Sequence, residues 1–183
     1  MTNCKGFSLL LDENNLHLKV FKKFTYYGYA EGVDNMIGSN TMAQIALVVH
    51  DIEKTGQAFA DLLGVKKPEV MHSGAVEVTK AHYYGQPSDA TCLMMFFNLE
   101  NIQLELIQPD ENPSIWRDIL NEKGEGVHHI AFQVKGAKEQ MQKFKEKGYP
   151  TTMYGNYGDG SGMYAYLDTV SDFKVVVELL ESF

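Results

Sequence analysis

The chain is poor in cysteine, arginine and tryptophan. Its 183 residues hold two cysteines, Cys4 and Cys92, one arginine, Arg117, and one tryptophan, Trp116. Two widely separated cysteines make neither a disulfide framework nor a CxxC metal pair, so a reduced compartment is expected. A single arginine excludes a multi-arginine clamp for carboxylates or phosphates. Basic residues are also short: 16 against 24 acidic ones give a net charge of −8. That balance argues against nucleic acid or an anionic membrane as the main partner, since both require a basic footprint. No apolar run approaches the ~20 residues of a membrane-spanning helix. Near the start only Leu9, Leu10 and Leu11 run together, too few for a signal-peptide core, so the expected location is cytoplasmic.

What is present is an ordinary globular composition, 44% hydrophobic and 22% charged, with 16 glycines and 5 prolines. Such a length buries a sizeable core without staples. Residues 1–40 read as a leader of unassigned role, with a basic amphipathic stretch from Leu16 to Phe24 and a tyrosine- and glycine-rich passage from Tyr26 to Gly32. From Thr41 the patterns sharpen. Met42 to Val49 reads as a buried strand, followed by an Asp51-capped helix with Ala58, Phe59, Leu62 and Leu63 on one face, ended by Gly64. Thr91 to Leu99 and Ile102 to Ile107 read as strands, and Pro109 stops the second. Ile115 to Leu120 forms a short amphipathic helix before the glycines at 124 and 126. A strand from Val127 to Val134 and a helix from Ala137 to Lys147 follow. Then come a glycine-rich loop over 155–162 and strands at Met163 to Leu167 and Lys174 to Leu180.

The order of elements repeats, and so do residues. A shift of 85 lays Gln44-Ile45-Ala46 on His129-Ile130-Ala131, Val49 on Val134 and Phe59 on Phe144. A shift of 73 lays Leu104-Glu105-Leu106 on Val177-Glu178-Leu179. The unequal shifts leave 12 extra residues in the first half (85 − 73), which Val65 to Ala90 absorbs as a longer loop or extended strand. The expected organisation is a first unit over 41–109, a helical linker over 110–126 and a second unit over 127–183. Each unit is strand, helix, then strands, and neither buries its sheet alone.

Four polar residues interrupt otherwise apolar strands at repeat-related places: Gln44, Glu105, His129 and Glu178. Singly, each has an ordinary explanation. A strand glutamate usually faces solvent, and of a pair such as His128-His129 one usually stays exposed. Together, under approximate twofold symmetry, the four converge on one cleft. Two carboxylates buried side by side are costly unless they share a cation. An amide oxygen, an imidazole and two carboxylates suit a divalent ion of intermediate hardness, such as zinc, cobalt, nickel or manganese. The lack of thiolates argues against a closed structural zinc site.

On these motifs the chain resembles the vicinal oxygen chelate superfamily of glyoxalases, methylmalonyl-CoA epimerases, ring-cleaving dioxygenases and bleomycin-resistance proteins. The resemblance covers residues 40–182. It implies an α+β fold of paired βαβββ modules whose curved mixed sheet surrounds a metal cleft. Ligands stand before the Ile-Ala pairs, at Gln44 and His129, and within LEL and VEL, at Glu105 and Glu178. The passage from Leu104 to Val134 is most similar to methylmalonyl-CoA epimerase. The Gln–Glu–His–Glu set instead resembles glyoxalase I, because epimerases usually have His where Gln44 stands.

The resemblance implies proton abstraction next to a carbonyl, with a metal-stabilised enolate and Glu178 or Glu105 as base. The implied substrate is a small molecule, an acyl-CoA or a thiol adduct, and the implied assembly is a homodimer. An epimerase's second proton carrier can come from the strand before LEL. Here that strand, Thr91 to Leu99, has Cys92 alone, with Glu77, His72 and His82 in the nearby long loop. Lys66, Lys67, Lys80, Arg117 and Lys123 are the cations available for an anionic substrate tail. Gln44 argues against a ring-cleaving iron site, which requires two histidines and a carboxylate. A non-catalytic binding protein is the alternative of a different class, its pocket lined by Met94, Met95, Phe96 and Phe97.

Overall fold

In the computed structural model residues 35–183 are described; the amphipathic stretch from Leu16 to Phe24 and the passage from Tyr26 to Gly32 lie outside them. The first strand, β1 (Met42–Val48), alternates half-buried and buried positions after the exposed Met42, as a strand with one face fully covered and the other partly covered does. Helix α1 (Ile52–Leu63) follows at once. The Asp51 side chain accepts from the Lys54 N–H at 2.9 Å, a cap that contributes about 1 kcal/mol. Gly64, at φ 66°, ends the helix in a left-handed turn. The buried face of α1 differs from the expected one. Ile52, Gly56 and Ala60 are buried and Phe59 half-buried, whereas Leu62 is 77% exposed.

The other long elements are β5 (Cys92–Asn98), β6 (Gln103–Pro109), α3 (Ile115–Lys123), β7 (Gly126–Gln133), α4 (Ala137–Glu146), β8 (Thr151–Asn156), β9 (Gly162–Leu167) and β10 (Val176–Ser182). Short pieces complete the set: β2 (Met71–His72), α2 (Val76–Thr79), β3 (His82–Tyr83), β4 (Gln86–Pro87) and α5 (Val170–Phe173). One ten-stranded curled mixed sheet results, in the order β2-β5-β6-β1-β7-β10-β9-β8-β3-β4. This is the α+β fold of paired βαβββ units.

The centre of the sheet carries a near-twofold relation. Strands β1 and β7 are antiparallel, and Ile45 faces Ile130 across them. Those two residues are the ones that the 85-residue shift equates, so the repeat's axis passes between them. Gln44 faces Ala131 and Ala46 faces His129, a reciprocal pair of pairings. On the far sides β1 runs parallel to β6, with Ala46 beside Glu105, and β7 runs parallel to β10, with Ala131 beside Glu178.

Helices α1 and α4 cover one face of the sheet. The first packs through Ile52 and Ala60 on Met95, Phe97 and Leu106; the second packs through Ala137 and Phe144 on Leu167, Val177 and Leu179. Helix α3 lies on the opposite, inner face, where Ile115, Trp116, Ile119 and Leu120 meet Ala46, Val48, Ile107, Tyr166 and Val176.

The stretch from Val65 to Ala90 is neither a plain loop nor one extended strand. It holds β2, α2 and the β3–β4 hairpin. β2 pairs with β5 at one end of the sheet, and β3 pairs with β8 at the other, His82 facing Tyr154. The segment between them therefore bridges the two edges. Its backbone runs so close to the β8–β9 turn that a Cβ on Gly74 would stand 2.5 Å from Gly158 Cα, a clash only glycine avoids. The 155–162 segment, expected as a loop, begins inside β8, and only Tyr157 to Ser161 forms the turn.

Candidate metal centre

All four singled-out residues lie on the inner face. Side chains of one strand alternate between faces, and paired residues share one. Glu105 pairs with Ala46, His129 pairs with Ala46, and Gln44 and Glu178 both pair with Ala131. The two alanines, both 0% exposed, occupy the positions between the polar groups, and Ala46 lies in the core cluster under α3. Gln44, Glu105, His129 and Glu178 are all buried.

Three of the four meet directly. His129 Nε2 stands 3.0 Å from Glu178 Oε2 and 3.5 Å from Glu105 Oε2. Yet neither His129 Nε2 nor Glu178 Oε2 makes a hydrogen bond of acceptable geometry. The two atoms are within ion-pair distance but not aligned as a hydrogen bond, which leaves part of their burial cost uncompensated. Among the described residues no three His, Cys, Asp or Glu side chains form a ready-made coordination shell. Only the two distances from His129 Nε2 fall in the range of neighbouring ligands. Ligand atoms about 2.1 Å from a common ion lie about 3.0 Å apart at a right angle and about 3.4 Å apart at the tetrahedral angle.

Gln44 shares their face, and its side chain bonds to strand β6. Its amide nitrogen donates to Gln103 Oε1, and Gln103 Nε2 donates to Asn98 Oδ1 at 2.7 Å. With the nitrogen engaged, the carbonyl oxygen is the end left to act as a ligand, as an outer hydrogen-bonded shell arranges it. His129 has its own outer partner: His128 Nδ1 lies 2.9 Å from His129 Nδ1. The expectation that one residue of the histidine pair is exposed is not met. A register irregularity between Ala46 and Leu47 in the β1–β7 ladder lies opposite the pair, and both rings are buried, at 1% and 0% exposure.

The charges follow from burial and proximity. Burial works to lower the His129 pKa, but Glu178 and Glu105 overcome it and raise it to about 10. Burial raises Glu105 above the usual carboxylate range, with His129 opposing. Burial holds His128 well below the usual imidazole range, and the neighbouring His129 adds to this. One proton-sized positive charge among two carboxylates is thus what the metal-free cluster favours, the same balance a cation meets.

Several other candidates do not reach the centre. Cys92 is buried on the inner face, but burial pushes its thiol up and Glu105 pushes it further, which makes it inert as an acid or base. His72 and Glu77 are exposed, and His82 stacks on Tyr154 at 4.8 Å and contacts the Lys80 carbonyl. Arg117 is held by the Asp110 and Pro109 carbonyls at 2.8 and 2.7 Å and by Glu111, so it staples α3 to the end of β6. Lys67 pairs with Glu53. Of the apolar strand residues, Met95 and Phe97 pack under α1 on the outer face, and Met94 and Phe96 belong to the inner one.

Sequence reasoning missed Gln103, His128, Tyr164 and Tyr166. Tyr166 faces Glu178 across β9 and β10, and its ring lies 5.1 Å from that of His129. The available signal was the repeat itself: Phe96 faces Glu105 in the first half as Tyr166 faces Glu178 in the second. The spacings differ, nine residues against twelve, so a single shift does not align them.

Comparisons agree with this fold. A family model described as the glyoxalase/bleomycin resistance protein/dioxygenase superfamily matches residues 43–166. A curated relative from Bacillus subtilis, the uncharacterized protein YqjC, is 26% identical over 143 residues, covering 78% of this chain and 92% of its own. Among solved structures, the hypothetical protein BH1468 from Bacillus halodurans superposes with a TM-score of 0.57 at 23% identity, over 79% of this chain and 96% of its own. A variant of methylmalonyl-CoA epimerase from Streptomyces coelicolor, in complex with 2-nitronate-propionyl-CoA, gives 0.54 at 23% identity, over 79% and 96%. At such identities the structural likeness speaks for the fold. Among the described residues no helix is long and apolar enough to cross a membrane.

Proposed function

The chain belongs to the glyoxalase/bleomycin resistance protein/dioxygenase superfamily, and from that premise we propose that it is a metal-dependent isomerase or lyase that forms an enolate, most similar in action to methylmalonyl-CoA epimerase. Gln44, Glu105, His129 and Glu178 hold the ion, a divalent one of intermediate hardness. One observation carries the reading: inside the protein one nitrogen, His129 Nε2, stands 3.0 Å from Glu178 Oε2 and 3.5 Å from Glu105 Oε2, and neither it nor Glu178 Oε2 makes a hydrogen bond of standard geometry. The bound ion supplies Lewis acidity that stabilises negative charge on a substrate oxygen.

The protein's own groups do the rest. Glu178 is the base that takes the proton from the carbon next to the substrate carbonyl, in a site dry enough to strengthen its interactions. Glu105, its repeat-related counterpart on the other half of the sheet, would return a proton when released from the ion in its protonated form. Two carboxylates on two halves thus replace the second carrier that strand β5 does not provide. His129, with its other nitrogen against His128, and Gln44, held by Gln103, keep the donor set in place. Ala46 and Ala131 put no more than a methyl each between the four groups.

A glyoxalase I-like lyase acting on a thiol adduct is the second reading, favoured specifically by Gln44. The test is the substrate. In heavy water the metal-loaded protein is expected to exchange the α-proton of methylmalonyl-CoA and to hold about one divalent ion per chain. Turnover of a glutathione hemithioacetal without that exchange would transfer the assignment to the lyase. Tight binding of an apolar compound by a chain that takes up no metal would make it a sequestering protein instead.

A further inference from the structure

The two walls of the inner face are not alike. Beside Glu105, strand β5 presents Phe96, with Met94 two residues away and Cys92 beyond. Beside Glu178, strand β9 presents Tyr166, with Tyr164 two residues away. The near-twofold relation makes Phe96 and Tyr166 counterparts. They differ by one hydroxyl, and that hydroxyl stands on the wall of the carboxylate closest to His129.

Tyr166 is also held as a preorganised donor is held. Its residue is 3% exposed. Its ring meets those of His129 at 5.1 Å, His128 at 5.5 Å, Tyr164 at 5.5 Å and Trp116 at 5.9 Å, so it has little rotamer freedom. A phenol is neutral at ordinary pH, so Tyr166 carries a proton to donate.

We propose that the Tyr166 hydroxyl donates a hydrogen bond to the substrate carbonyl oxygen as that oxygen gains negative charge. The proposal rests on the enolate reading above. When the α-carbon's C–H bond breaks, its proton passes to Glu178 and the electron pair moves onto the carbonyl oxygen. Tyr166 transfers nothing; it stabilises the developing charge, as an oxyanion-hole donor does. The opposite wall, with Phe96 and Met94, carries no such donor and suits the alkyl side of the substrate. The substrate class narrows accordingly to carbonyl compounds, thioesters or hemithioacetals, with a small apolar group on the reacting carbon.

The test is Tyr166→Phe in the metal-loaded protein, with α-proton exchange of methylmalonyl-CoA and hemithioacetal turnover measured alongside metal content, KM and thermal midpoint. The variant keeps every ring contact and loses only the hydroxyl. The expected result is a fall in kcat of about 100-fold, with KM within threefold and metal content unchanged, the mark of a contact made in the transition state. A variant with wild-type kcat overturns the role and leaves the enolate reading standing. A variant that loses metal instead makes Tyr166 a packing residue and also overturns it. If the wild-type chain turns over neither substrate, the enolate reading falls and this inference falls with it.

Discussion

The half of the sheet built from β1, β2, β5 and β6 and the half built from β7, β8, β9 and β10 use one plan and divide the chemistry unevenly. Each places a glutamate on its last strand, Glu105 or Glu178, beside an alanine of its first. Around that shared pair they part. The first half has Gln44, Ala43, Met94 and Phe96 where the second has His129, His128, Tyr164 and Tyr166. Two imidazoles and two phenols thus stand on one side, against a neutral amide and an apolar wall on the other. The repeat gives the sheet its near-twofold geometry. On the proposed reading, the second half supplies the base and the hydrogen-bond donors, and the first supplies the second carboxylate and the apolar wall.

The largest expected effect tests whether the carboxylates are equal. Glu178→Gln should lower α-proton exchange about 10³-fold and Glu105→Gln about 100-fold, within the range of a single acid–base group. Both proteins should keep the wild-type far-ultraviolet circular dichroism. Equal losses would make the halves interchangeable, and undiminished turnover in Glu178→Gln would remove it as the base.

Metal affinity compares the two first strands. His129→Ala should weaken binding at least about 100-fold in chelator competition. Gln103→Leu, which frees the Gln44 amide, should weaken it about 10-fold, as loss of an outer-shell partner does. A Gln103→Leu protein with unchanged affinity would show that Gln44 needs no orienting partner.

The third comparison uses pH, with chelator-treated protein. His129, raised to about 10, stands above its unfolded value near 6.5. Its contribution to stability is therefore complete below about pH 6.5 and is lost as pH rises toward 10. The urea midpoint should fall across that window in the metal-free protein and hold steadier when metal replaces the proton. His128, held low by burial, contributes with the opposite sign, its stability lost as pH falls below about 6.5. A flat alkaline limb in the chelated protein would mean that the imidazole and its carboxylates are not coupled.

The smallest effects compare the starts of the paired helices. Helix α1 is capped by its own Asp51. Helix α4 begins at Gly136, whose N–H, like that of Ala137, donates to Glu181 of β10 at 2.6 and 2.9 Å. Asp51→Ala should cost about 1 kcal/mol. Glu181→Ala should cost about 1.5 kcal/mol, because two charge-assisted bonds are lost. Urea unfolding measures both, and the reverse order would place the greater strength in the local cap.

Amino-acid order alone determined the long elements and the four polar interruptions. Short apolar runs mark β1, β5, β6, β7, β9 and β10, and cap residues such as Asp51 and Gly64 mark a helix end without reference to anything distant. The repeat of Gln44-Ile45-Ala46 in His129-Ile130-Ala131 equates Ile45 with Ile130, and the pairing of β1 with β7 then puts the axis between them. Tertiary structure alone decided the rest. Strands of two residues, as in β2, β3 and β4, have no periodicity and exist through the edges they join. β8 contains Gly155, which reads as loop. It is glycine because a Cβ there would lie 2.8 Å from Tyr164 Oη and 3.0 Å from the Thr79 carbonyl, groups brought in by other segments. Tyr166, His128 and Gln103 were hidden for the same reason: what each does is set by which strand lies beside it, and pairing partners far apart in the chain are chosen only when the sheet closes.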